Sequence, residues 1–142
     1  RSTTVTGVQT CALPIFIDFQ FYGPGWPNCY QFSEGLASVM LSDPESTKDA
    51  FGVIDETGKV LFRFSEAPCG AYREGYMVIK DKHENYSLID RMGKRHPLPT
   101  WLEPVGVKEV MEGTLLVRVR QKTQRHEKRK FGYLSVLPQQ GR

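Results

Sequence analysis

The chain has 142 residues, with 19 Lys or Arg against 16 Asp or Glu and a formal net charge of +3. That length permits one compact domain, and a balance so close to neutral supplies no global attraction to nucleic acid or to an anionic membrane. Thirteen Gly and nine Pro break the apolar residues into short runs without sustained helical periodicity, apart from a weak pattern over 105–112, so all-β structure is the expectation.

In chain order, Val5-Thr-Gly-Val-Gln-Thr-Cys-Ala-Leu-Pro-Ile15 resembles the translation of a sequencing adapter. Residues 1–15 are therefore read as a non-native segment and set aside like any fusion scar, and natural sequence is expected to begin mid-chain near Phe16. Without the segment Arg1 and Cys11 drop out, leaving 18 basic residues against 16 acidic ones and a net charge of +2. With the native N-terminus replaced, the sequence assigns no localisation. The longest uncharged run after it, 19–33, contains Gly, Pro, Asn and Gln, which is not the composition of an apolar spanning helix.

From there one pattern recurs: Cys29-Tyr-Gln-Phe-Ser-Glu34-Gly35, Cys69-Gly-Ala-Tyr-Arg-Glu74-Gly75 and Val107-Lys-Glu-Val-Met-Glu112-Gly113, with Glu-Gly steps 40 and 38 residues apart. Self-similarity at this period predicts a supersecondary unit copied so that neighbours bury what one copy cannot. Behind each Glu-Gly step lies a run rich in β-branched or aromatic residues, at 36–41, 76–81 and 114–119, and a second follows at 50–55, 85–90 and 130–135. These six runs are predicted strands. The second strand of the first two copies leads into Asp-x-x-Gly-Lys, where Asp55 and Asp90 can cap backbone NH groups and Gly58 and Gly93 can supply positive φ. Residues 60–64 are a predicted third strand, whereas 96–101 make a poor one because prolines remove ladder donors. Pro97 to Pro104 is expected to be an extended connection between copies.

Phe32-Ser-Glu-Gly-Leu-Ala37, followed by Phe51-Gly-Val-Ile-Asp-Glu-Thr-Gly-Lys59, resembles the bacterial WG-repeat (KWG) proteins. The likeness covers most of 27–135 and weakens along the chain, with Tyr86-Ser87 replacing the aromatic-Gly pair and Ser135-Val-Leu-Pro138 replacing the last Asp turn. It implies an array of antiparallel β-meander units, about 27–66, 67–104 and 105–138, within one domain over 16–138 followed by a tail at 139–142. The units would stack openly or curve toward a propeller-like arrangement. It also implies an interaction module rather than an enzyme. Phe32, Phe51, Tyr72, Tyr86 and Phe131 are expected to form the core.

Repetition disciplines the search for chemistry. Glu34, Glu74 and Glu112 occur once per copy, so a polar device that satisfies backbone NH groups explains them better than an acid/base pair. Cys29 and Cys69 share one repeat position, which suits buried free thiols or, in an exported protein, an inter-unit disulfide. His83, His96 and His126 show no ligand spacing with the cysteines, and no catalytic, cofactor-binding or metal motif stands out. The strongest unrepeated feature is the basic run from Arg118 to Lys130, comprising Arg118, Arg120, Lys122, Arg125, Lys128, Arg129 and Lys130. It reads as a solvated loop or as a patch for an anionic partner, and it lacks the interleaved aromatics of a nucleic-acid site. The functional expectation is a noncatalytic module binding a protein or cell-surface ligand through variable loops. The alternative is an accessory region of a larger enzyme.

Overall fold

A computed structural model describes residues 31–120 and 130–136. It contains ten strands: β1 (Leu36–Met40), β2 (Phe51–Asp55), β3 (Val60–Phe64), β4 (Ala67–Pro68), β5 (Tyr76–Lys80), β6 (Tyr86–Asp90), β7 (Arg95–Pro97), β8 (Leu102–Pro104), β9 (Thr114–Val119) and β10 (Phe131–Ser135). They form three antiparallel sheets, β1-β2-β3, β4-β5-β6-β7 and β8-β9-β10, none of which closes on itself. The chain is all-β, and no helix occurs among the described residues. The periodic stretch 105–112 is turn and bend instead of helix, since Gly106 and Lys108 take φ of 70° and 59°.

Each Glu-Gly step is a two-residue turn with both residues at positive φ: 57° and 77° at Glu34-Gly35, 51° and 86° at Glu74-Gly75, 49° and 76° at Glu112-Gly113. That is the backbone signature of the type I′ turn, whose twist matches that of the flanking strands. The flanking residues exchange paired backbone bonds, for example Arg73 N to Tyr76 O at 2.8 Å and Tyr76 N to Arg73 O at 3.0 Å. The Asp turns are also built from local chemistry. The Asp55 Oδ1 accepts from the amides of Thr57 and Lys59 at 2.9 and 3.1 Å, and Asp90 Oδ1 accepts from those of Met92 and Lys94 at 2.9 and 3.0 Å. A third such turn lies at Asp81, whose Oδ1 accepts from His83 and Asn85 at 2.8 and 3.0 Å; Glu84, at φ 61°, stands there in place of glycine.

The connection 97–104 is not only extended chain, because its ends join sheets as β7 and β8. Pro68, Pro97 and Pro104 all lie in edge strands, the places where a missing ladder donor does least harm.

Successive side chains alternate between the two faces of each sheet. Leu36, Met40, Phe51, Val53 and Phe64 of the first sheet pack with Tyr72, Met77, Ile79 and Ile89 in one buried cluster. The opposite face of the second sheet, through Tyr76, Val78 and Leu88, joins Leu98, Leu102, Val110, Leu115 and Val117 in another. Of the five aromatics expected inside, Phe51 and Tyr72 are buried, Tyr86 is half-buried, and Phe32 and Phe131 are exposed at 40% and 60%. Phe32 precedes the first turn and belongs to neither cluster. Phe131 lies on the outer face of the third sheet, where no described sheet covers it.

Candidate functional site

The strands run between two unlike ends. At one end sit the Glu-Gly turns and the turns at Asp55 and Asp90, tied together across the sheets. The Glu34 carboxylate accepts from Glu74 N at 2.5 Å and Gly75 N at 2.9 Å, and the Glu74 carboxylate accepts from Gly113 N at 2.8 Å. Each carboxylate thus holds the turn of the next sheet. An Asn would suit the left-handed backbone better but is too short for this reach, which gives a physical reason for glutamate at a strained position. Arg91 adds a bond to Glu34 O at 3.0 Å. Glu109 receives Ala71 N at 3.0 Å and pairs with Arg73 at 3.1 Å.

At the other end lie the connections 41–50, 81–85 and 120–130, which differ in length and charge. Lys48 of the first, Asp81, Lys82 and His83 of the second, and Ser65 and Glu66 between them line an open cleft of about 420 Å³. The second connection touches the third through Arg120, whose Nη2 donates to Glu84 O at 2.6 Å while its guanidinium lies 5.9 Å from the Tyr86 ring centroid. Variable loops from three sheets therefore form one surface.

The electrostatics of the cleft are those of fixed charges. Backbone amides of Asn85 and His83 hold the Asp81 carboxyl below its ordinary range against a smaller opposing effect of burial. Burial alone would raise Glu66, but the bidentate partner Arg95 outweighs it and holds that carboxyl low as well. Neither carboxylate is tuned to carry a proton near neutrality, as acid/base catalysis needs.

Of the basic run, Arg118 pairs with Glu103 at 3.1 Å on the outer face of the third sheet, Arg120 is engaged as above, and Lys130 is exposed before β10. Lys122, Arg125, Lys128 and Arg129 lie outside the described residues, as does Cys29. Cys69 is a half-buried free thiol, pushed up in pKa chiefly by burial and so a poor nucleophile. Its repeat position is not uniformly buried, since the equivalent Val107 is 62% exposed. No cluster of three metal-ligating side chains occurs among the described residues.

The sequence pointed to the loops as a class but not to Lys48, Glu66, Lys82 and His83 as neighbours. Their shared place after the first strand of each copy was the available signal. No protein-family model, curated protein or solved structure matches this chain.

Proposed function

We propose that the chain is an array of three WG-like β-meander units, about 27–66, 67–104 and 105–138, forming a noncatalytic interaction module. One observation carries this reading: the loops after the first strand of each sheet lie together, in contact through Arg120 and Glu84 and across the cleft between Lys48 and Lys82. Such a surface varies in length and charge without disturbing the sheets that present it. The partner it suits is a protein or another macromolecule contacting several loops at once. The basic run from Arg118 to Lys130 extends the surface toward anionic groups on that partner.

The test is photo-crosslinking from an unnatural side chain at position 82, compared with one at the exposed Met92 of the opposite end. A discrete adduct from position 82, absent from position 92 and abolished by joint replacement of Lys48, Lys82 and His83 with Ala, is expected. Equal adducts from both ends would overturn the loop-surface reading. Charge reversal of Arg125, Lys128 and Arg129 is expected to weaken any salt-sensitive part of the interaction.

A further inference from the structure

We propose that the outer face of β9 and β10 is the seat of a further β-meander of the same kind, joined on the C-terminal side of the third sheet. Its turn amides would be received by the Glu112 carboxylate. The inference rests on reading the three sheets as like units, and two independent regularities carry it.

The first is packing. In each sheet the residue after the Glu-Gly step, Leu36, Tyr76 or Thr114, starts one face. That face of the first sheet packs on the Met77, Ile79 and Ile89 face of the second. The same face of the second sheet, with Tyr76, Val78 and Leu88, packs on the Leu115 and Val117 face of the third. By the register of β9 with β10, the equivalent face of the third sheet carries Thr114, Leu116, Arg118, Phe131 and Tyr133. Here Phe131 and Tyr133 are 60% and 75% exposed. Twice this surface is the inner wall of an inter-sheet core; the third time it meets no described sheet.

The second regularity is the carboxylate ladder. Glu34 receives amides of the second turn and Glu74 an amide of the third. Glu112 shares their sequence position and positive φ, yet its carboxylate has no hydrogen bond or ion pair among the described residues. The open acceptor and the open aromatic face belong to the same end of the stack. A two-amide turn at the head of a β-meander is the group that both earlier carboxylates bind.

A second copy stacked head to tail does not fit. It would have to offer the alternate face of its first sheet, where Ala37, Val39 and Ile54 are already only 5, 4 and 2% exposed. Two copies meeting through their third sheets would supply no turn amides to Glu112.

The experiment extends the full chain after Arg142 with a second copy of residues 67–104. The added Glu-Gly step then follows Glu112 by the 38 residues that separate Glu74 from Glu112. Hydrogen exchange is followed at the added turn amides, in this chain and in its Glu112→Ala and Tyr133→Asp variants. The expected result is exchange about tenfold or more slower than in an unstructured peptide, lost in both variants. Absence of protection, or protection indifferent to both substitutions, would overturn the proposal. Concentration-dependent dimerisation of the unextended chain that Tyr133→Asp abolishes would overturn it too, by assigning the face to a second copy. Glu34→Ala in the unextended chain separates this failure from failure of the unit reading. If the Glu74 and Gly75 amides stay protected without Glu34, the ladder is not what joins the sheets.

Discussion

Phe51-Gly52 and Phe131-Gly132 are the same dipeptide at the start of corresponding strands, paired with Met40-Val39 and with Arg118-Val117. One phenylalanine is 5% exposed and the other 60%. Phe51 stacks on Phe64 with centroids 5.8 Å apart and lies within the core between the first two sheets. Phe131 looks outward beside Tyr133. A Cβ on Gly52 would collide with Leu41 Cδ1 at 2.5 Å, whereas one on Gly132 would meet nothing within 4 Å. Identical local sequence therefore gives an identical strand but not an identical burial. What differs is whether another sheet lies across the face.

The sharpest way to break this comparison is a pair of truncations. Phe51→Ala is expected to destabilise by about 3–5 kcal/mol through lost burial and a residual cavity, and Phe131→Ala by less than about 0.5 kcal/mol as an exposed substitution. Urea unfolding monitored by circular dichroism reads both; similar losses would show that the third sheet is covered in solution. A smaller contrast is expected between Glu34→Ala and Glu112→Ala. The first leaves two turn amides without their acceptor, at about 1–3 kcal/mol, while the second removes no described bond and is expected to change the midpoint little.

Acid should separate the Asp turns from the rest. Asp55 is held below its ordinary pKa first by the Thr57 hydroxyl. Asp81 is held low first by the Asn85 amide. For Asp90, burial pulls upward, but His96 and the amides of Lys94 and Met92 outweigh it. A carboxyl depressed in the folded state adds stability above its unfolded pKa, about 4, and loses it as pH falls through the lower folded value. Stability is thus expected to decline below about pH 4, and Asp90→Asn should flatten that decline in melts run across the acid range. The smallest effect concerns Ser38, buried at 1% exposure with an unpartnered hydroxyl. Ser38→Ala is expected to be neutral or to stabilise by up to about 1 kcal/mol, read from the same urea curves.

Much of this structure was legible because it is local. The Glu-Gly turns, the Asp turns at 55 and 90 and the six principal strands depend on residues within a few positions of one another. The Asp81 turn escaped notice because Glu84 occupies the place a glycine signals elsewhere. β4 and β8 were hidden by their prolines and by lengths of two and three residues; they exist because a neighbouring strand offers them partners. The destination of each glutamate lies about forty residues away, so the repeat identified a structural device without identifying the turn it holds. The cleft at Lys48 and Lys82 depends in the same way on how sheets stack, and no single loop encodes it.

The carboxylate ladder also makes particular amides into reporters of stacking. The NH groups of Glu74, Gly75 and Gly113 are bonded to a side chain from the preceding sheet, not to their own. Separating two sheets would therefore release these protons even while the strands beside them stayed hydrogen-bonded. Comparing their release with that of amides within β5 and β9 would show whether the array opens one seam at a time or melts as a single cooperative body.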